Sequence, residues 1–445
     1  MIGPRLVQRA GAPVDLLVRS ARLLDPAEGI DGRSDLLVRG GLIAAIGERL
    51  EAPDGAETID GDGLTVLPAF VDPHVHLRSP GQEYKEDLAT GTAAAAAGGY
   101  GAVLAMPNTD PVIDSAPLLE SLFERGQEEC CVPTGFLPAI SIGLKGLQLT
   151  EMYELADRGA AGFTDDGRPV EHAGLLRRAF QYARPLGVPL ALHCEDLTLS
   201  RGGHMHEGAL SAELGVGGYP AIAESVMVAR DLRIARYEDG RVHLQHLSTR
   251  GSLDELAWAR AVGVRVSAEA TPHHLLLTVD SVRSLDTSYK MNPPLASEDD
   301  RQALIEAVRS GLVDCIATDH APHGSEEKEQ PFESAPNGIT GLETAFASLY
   351  TGLVVPGILP LETVVRALTS APAIAFALDP PRLAVGAPAN LALWDLEERW
   401  VVRADAFRSR GTNSPFIGTT LVARCNVTIA GGQLAFRKVP LGAVA

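Results

Sequence analysis

The chain has 445 residues, too many for one ordinary core and suited to a barrel of roughly 250–350 residues with a smaller module attached. With 45% hydrophobic and 21% charged residues it reads as soluble and globular, and no run of about 18 apolar residues is present to span a membrane. Its 38 basic residues face 57 acidic ones, a net charge of −19 without any Lys/Arg cluster, which speaks against a nucleic-acid partner.

The opening stretch MIGPRLVQRAGAPVDLLVRS lacks a continuous apolar segment with a small-residue cleavage site, so no signal peptide is expected. The residues up to 65 alternate in short runs, DLLVRSARLLDP, SDLLVRGGLIAAIG and ETIDGDGLTVL, broken by Gly and Asp. The same texture returns near the other end in LAVGAPANLALWDLE and GTTLVARCNVTIAGGQLAF. Two β-rich ends around a different middle predict one composite β domain, from residues 1–65 and 385–445.

The middle, 66–384, alternates apolar runs with helix-like segments such as AGLLRRAFQYARPLG and GSLDELAWARAVG. Eight buried strands are expected at 66–75, 100–106, 133–139, 160–164, 188–194, 241–247, 264–269 and 313–319. Near-continuous apolar strands alternating with helices imply a parallel sheet, and eight such units fit a (β/α)8 TIM-like barrel; a doubly wound sheet fits the periodicity less well. The five cysteines, Cys130, Cys131, Cys194, Cys315 and Cys425, are odd in number and form no CxxC, which favours a reducing cytoplasm over a disulfide framework. Cys194 and Cys315 stand in apolar runs and read as small buried hydrophobes.

Chemically informative residues collect at the C-terminal ends of the expected strands. The first ends in FVDPHVHLR with His74 and His76, two imidazoles on one face because strand neighbours i and i+2 point the same way. The fourth ends in GFTDDGRP with Asp165 and Asp166, the fifth in LALHCED with His193, the sixth in HLQHLS with His246, and the eighth in CIATDHAPH with Asp319, His320 and His323. Imidazoles with carboxylates suit Zn²⁺, and two metals sharing a carboxylate make a hydrolytic pair of Lewis acids. One metal is expected on His74, His76 and the bridging aspartate, a second on His193, His246 and the same bridge, with Asp319 nearby as ligand and base. The residues alone leave Asp165 and Asp166 both open as the bridge. His273 and His274, in ATPHHL after the seventh strand, are candidates for supporting groups behind the ligands. His172, His204, His206 and His243 read as ordinary hydrogen-bonded or solvated side chains.

These stretches, together with PGQEYKEDLATGTAAAAAGGYGAVLAMPNTDPV, LSRGGHMHEG, YKMNPPL and NGITGLET, run in order from about residue 66 to 345 and resemble the amidohydrolase superfamily, most closely type I dihydroorotase. The resemblance implies a barrel with a small β-sandwich formed by both termini and up to two Zn²⁺ per chain. It implies that His74, His76, Asp166, His193, His246 and Asp319 are the metal ligands, Asp166 the bridge and Asp319 the catalytic acid–base. Many relatives bridge their metals with a strand-four lysine; GFTDDG has none, which resembles the subgroup bridged by aspartate. The resemblance also implies that His76, Arg78, Asn108 and His323 meet a substrate carboxylate, that Asn292 faces the ring, and that Asn337 and Gly338 touch it through the backbone. Ser79 and Asn337 depart from common family wording, which offers Glu and Phe there. The long polar loop HAPHGSEEKEQPFESAPNG is expected to carry His323 and partly cover the site.

The implied reaction is the reversible interconversion of N-carbamoyl-L-aspartate and L-dihydroorotate in pyrimidine nucleotide synthesis. The expected partners are a small-molecule substrate, a second copy of the chain in a homodimer, and aspartate transcarbamoylase. Two other readings fit parts of the pattern: a related cyclic amidase (hydantoinase or allantoinase), and a non-catalytic scaffold for aspartate transcarbamoylase. The first usually carries the strand-four lysine, and the second typically loses metal ligands.

Overall fold

A computed structural model describes residues 3–438. Residues 1–2 and 439–445 of the two expected terminal β segments lie outside the described residues.

The first segment forms β1 (Leu16–Asp25), β2 (Ile30–Arg39), β3 (Leu42–Gly47), β4 (Glu57–Asp60) and β5 (Leu64–Pro68). β1 is antiparallel to β2 and parallel to both β4 and β5. Its apolar alternation buries Leu16, Val18, Ala21 and Leu23 against Val66, Leu391, Leu393, Val427 and Ile429.

The middle begins with β6 (Phe70–Val75), β7 (Tyr100–Ala105) and β8 (Thr134–Phe136), a parallel trio. β9 (Phe163–Thr164) and β10 (Leu190–Leu192) follow, then a small ribbon in the next connection, β11 (Met205–His206) paired with β12 (Gly218–Tyr219). β13 (Arg241–Leu244), β14 (Arg265–Ala270) and β15 (Cys315–Ile316) complete a parallel array in the order β15-β14-β13-β10-β9. Thus every expected middle strand has an observed counterpart, although β9 and β15 are short.

The chain returns to the terminal sheet with β16 (Leu391–Val401), β17 (Thr420–Ala430) and β18 (Gln433–Arg437). β16 lies antiparallel to β5, so both ends of the chain join in one eight-stranded mixed sheet. The two β-rich ends thus share one sheet through the β5–β16 pairing.

One expected strand divides. The run 66–75 is β5 and β6, broken at Ala69, whose N–H bonds Asn390 O in the terminal segment while Phe70 N bonds Gly99 O in the middle. Apolar residues on both sides of the break hide it from the hydrophobic pattern.

Helices pack against the parallel strands. Leu88–Ala97 starts at Asp87, whose side chain accepts from Thr90 N at 2.8 Å, and Glu298–Ser310 runs from the Ser297 cap to Gly311 in the left-handed region at φ +76°. All five cysteines are free and buried, and burial pushes the Cys130 and Cys425 thiols up to about 12, as inert core groups. No helix among the described residues is long and apolar enough to cross a membrane.

Candidate metal centre and substrate pocket

β6 ends at Val75, so His74 stands on the strand and His76 just beyond it. His74 Nδ1 donates to Glu269 Oε1 at 2.6 Å, and Glu269 also accepts from His243 Nε2 at 2.9 Å. That bond leaves Nε2 as a lone pair, and the atom is buried without a hydrogen-bond partner. It lies 3.2 Å from Asp166 Oδ1 and 3.5 Å from Asp319 Oδ1. A lone pair against two carboxylates is repulsive unless a proton or cation stands among them. Burial lowers the His74 pKa, but Glu269, Asp166 and Asp319 together outweigh it and hold the imidazole well above its ordinary value.

His76 shows the same logic. Its Nδ1 donates to Asn108 Oδ1 at 2.8 Å, and its Nε2 sits 3.0 Å from Asp319 Oδ1 and 3.5 Å from Asp166 Oδ2. His193 Nε2 donates to Glu195 Oε2 at 3.0 Å, so Nδ1 faces His246 Nε2 at 2.9 Å. Two ring nitrogens at that distance need a proton or a metal between them. His246 Nε2 is in turn 3.9 Å from Asp166 Oδ1.

Two groups follow, each offering one donor atom per residue within 4.8 Å of the others: His74, His76 and Asp319, and His74, Asp166 and His246. All six expected ligands are buried; five of them make up these two groups, and His193 stands outside both, against His246. Burial alone would raise Asp166 and Asp319; the imidazoles around them, His74 foremost, instead hold both carboxyls well below the usual carboxylate range. With Glu269 and Glu195 behind the histidines, four carboxylates surround the site, and a cation of two or more charges suits that donor set.

Asp165 turns away. It accepts from Ser141 N at 2.9 Å and from Ser141 Oγ, and burial pushes its carboxyl up to about 6. Of the two adjacent aspartates, Asp166 alone faces the histidines.

Beside these groups is a cavity of about 180 Å³ lined by all the expected substrate-facing residues: His76, Arg78, Asn108, Asn292, His323, Asn337 and Gly338. Arg78 lies past the end of β6, so strand alternation does not aim it; a left-handed backbone at φ +57° does. Its Nε donates to Pro322 O at 3.2 Å. His246 and Asp319 share the left-handed region, at φ +32° and +47°, a strained conformation that the surrounding structure must hold. His323 Nε2 donates to Asn337 O at 2.8 Å, while burial, then Arg78, pulls its pKa down to about 3 and keeps the ring neutral. Asn292 Nδ2 donates to Glu195 Oε2 at 2.8 Å, and Asn108 Nδ2 reaches Asp166 Oδ2 at 3.4 Å.

The histidines of ATPHHL divide. His274 bridges Thr271 Oγ1 and Pro293 O and so backs the turn that carries Asn292, whereas His273 Nε2 is buried without a partner. Sequence reasoning missed Glu195, Glu269 and the ordering role of His243. Glu195 carried a signal, standing two residues after His193; Glu269 ends the seventh strand, where other strands supply ligands.

A family model described as Dihydro-orotase-like matches residues 63–252. A dihydroorotase of Anaeromyxobacter sp. (strain K) is 46% identical over 94% of this chain and 97% of its own length. One of Pelobacter propionicus is 43% identical over 96% of this chain and the whole of its own. Among solved structures, the L-hydantoinase (dihydropyrimidinase) of Arthrobacter aurescens superposes with a TM-score of 0.86 at 26% identity, covering 96% of each chain. The fold is that of mixed α/β hydrolases of cyclic amides, and the chain belongs to the dihydroorotase family within the amidohydrolases.

Proposed function

We propose that this chain is a zinc-dependent dihydroorotase, interconverting N-carbamoyl-L-aspartate and L-dihydroorotate in pyrimidine nucleotide synthesis. The observation that carries the reading is the buried, unpartnered His74 Nε2 facing Asp166 and Asp319 beside a cavity that contains Arg78. In this reading His74, His76 and Asp166 would hold one zinc, His193, His246 and Asp166 would hold a second, and Asp319 would join as ligand. When bound, zinc supplies Lewis acidity, polarising the cyclic amide carbonyl and making water a competent nucleophile near neutral pH. Asp319 accepts the proton of the attacking water on its carboxylate and returns it to the departing ring nitrogen. Arg78 holds the substrate carboxylate through its planar fork, with Asn108 and His323 beside it, and the Asn292 amide and the Asn337–Gly338 backbone face the ring.

We also read the parallel strands as one closed (β/α)8 barrel, which begins at β6 rather than at the expected residue 66 because β5 pairs with β1 and β16. Ala161 N bonds Phe136 O at 3.0 Å between the two arrays, and His76 N bonds His320 O at 2.9 Å at the other junction. The terminal sheet, folded over its own apolar core, is read as the expected β-sandwich of both ends, its first part running on to Pro68 through β5. A homodimer and association with aspartate transcarbamoylase complete the proposal; light scattering of the chain, with and without that enzyme, tests both.

Elemental analysis with a substrate panel tests the activity. Zinc up to two per chain and turnover of dihydroorotate, lost on chelation, are expected. Turnover of hydantoin or allantoin with none of dihydroorotate transfers the reading to the hydantoinase class, and full activity without metal removes the zinc.

A further inference from the structure

Two lysines of motifs that the metal centre does not use, Lys290 in YKMNPPL and Lys328 in HGSEEKEQ, are buried, with 4% and 7% of their surface exposed. Neither ammonium forms an ion pair among the described residues. Both instead point into one backbone segment. Lys290 Nζ donates to Glu333 O at 3.0 Å and Ala335 O at 2.7 Å. Lys328 Nζ donates to Pro336 O at 3.0 Å, Gly338 O at 3.1 Å and Lys290 O at 3.4 Å, one carbonyl for each ammonium proton. The Lys290 carbonyl also accepts from Gly338 N at 3.0 Å, so Gly338 is held at both its N–H and its C=O. Asn413 Nδ2, from the C-terminal part of the chain, adds a second bond to Gly338 O at 3.0 Å, and Asn413 Oδ1 accepts from His323 N at 3.0 Å.

The segment so held is the cavity wall. Gly338 sits at φ +127°, and a Cβ there would stand 2.7 Å from Ala321 Cβ and 3.1 Å from His323 Nε2, so the backbone packs directly against the substrate-facing imidazole. Burying an ammonium is costly, and a loop needing only its carbonyls satisfied has neutral donors and water available. Two charged donors converging on 333–338 make this irregular backbone stiff where a small shift moves Asn337 and His323 together.

We propose that Lys290 and Lys328 are positioning residues for substrate binding: a buried pair of ammonium groups that clamp the backbone of 333–338 and thereby fix Asn337, Gly338 and His323 at the cavity wall. The proposal rests on the reading of this cavity as the dihydroorotate site. Burial, then Lys290, draws Lys328 down to about 7, against the attraction of Asp286 on the preceding turn and of Glu327 on its own helix, itself paired with Lys85 at 2.9 Å. Lys290 is likewise lowered by burial, opposed by Glu333. A depressed lysine is charged below its pKa and neutral above it, so the clamp weakens as pH rises through neutrality.

The test uses the zinc-loaded full chain, its Lys328→Met variant and, should that variant fold poorly, Lys290→Met. Hydrogen–deuterium exchange of the 331–339 segment is expected to quicken in either variant, with the strand cores unchanged. KM for dihydroorotate should rise about tenfold while kcat stays within about twofold at equal zinc content, because the lysines set the wall and not the reacting atoms. In the wild type, protection of the segment relative to the core should fall from about pH 6 to about pH 9, and Lys328→Met should lose that dependence. Unchanged exchange in both variants overturns the clamp, as does a joint fall of kcat and zinc content with KM unmoved. A wild type that never turns over dihydroorotate removes the functional reading instead, and the exchange result still decides the clamp.

Discussion

The two ends of the parallel strands offer a ligand different things. At their N-terminal ends a cavity of about 700 Å³ opens beside Arg241, Arg265, Ser267, Asp314 and Arg366; at their C-terminal ends the cavity is about 180 Å³. Yet both groups that could hold a metal ion among the described residues lie at the smaller one. Two arginines of the larger space serve the chain itself: Arg241 bonds the carbonyls of Gly187, Ile374 and Ala375, and Arg265 pairs with Asp239. Volume marks where strands and helices splay; convergence of buried donors that lack partners marks where chemistry can occur.

The largest expected effect breaks the C-terminal end at its base. Asp319→Asn keeps the shape but offers no carboxylate to take a proton, so turnover should fall about 10²–10⁴-fold in both directions at matched zinc content. A rate constant near that of the wild type in the substituted protein removes Asp319 from proton transfer.

The adjacent aspartates sharpen the comparison within one strand end. Asp166 faces three histidines, and Asp165 faces Ser141. Asp166→Ala should release zinc, read by elemental analysis after dialysis, whereas Asp165→Ala should retain it and lose stability through the Ser141 contact. The opposite pattern reverses the assignment of the bridge.

Arg78 should discriminate between substrates. A charge-assisted contact to a carboxylate contributes roughly 1.5–3 kcal/mol, so Arg78→Met should lower kcat/KM for dihydroorotate by about tenfold or more. A cyclic amide without the carboxylate should lose little. Equal losses on both mean that the Arg78–Pro322 bond supports the fold rather than the substrate.

The sequence made the candidate ligands legible because each stands at or near the end of an apolar strand, and a parallel array brings such ends together. The eight middle strands were readable for the same reason. The break at Ala69 was not, since apolar residues continue through it and only the partner of each half, Asn390 or Gly99, separates them. Arg78 reaches the cavity lining through a left-handed turn, which side-chain alternation does not encode. Glu269 stands 195 residues from the His74 it orients, and Lys328 holds carbonyls rather than side chains; pairings of these kinds leave no spacing to read.

The smallest effect belongs to the opposite end, and it is the control for all the rest. Arg241 begins β13, where its guanidinium gathers three carbonyls from two separate connections, with 2.8 Å and 2.6 Å to Ile374 and Ala375 and 3.2 Å to Gly187. Burial and the neighbouring Arg265 lower its pKa, yet a guanidinium stays charged across the working range, so the contact does not vary with pH. Arg241→Ala frees those carbonyls at a half-buried site that water can reach, which limits the loss to about 1 kcal/mol. The expected result is a small fall in Tm by calorimetry, with kcat, KM and zinc content unchanged. The reason is geometric: Arg241 and His246 lie at opposite ends of one strand path, and the strand between them is buried and hydrogen-bonded on both sides. If kcat fell with Tm, the two ends would be mechanically coupled through β13, and the larger cavity would become a place from which the smaller one can be controlled.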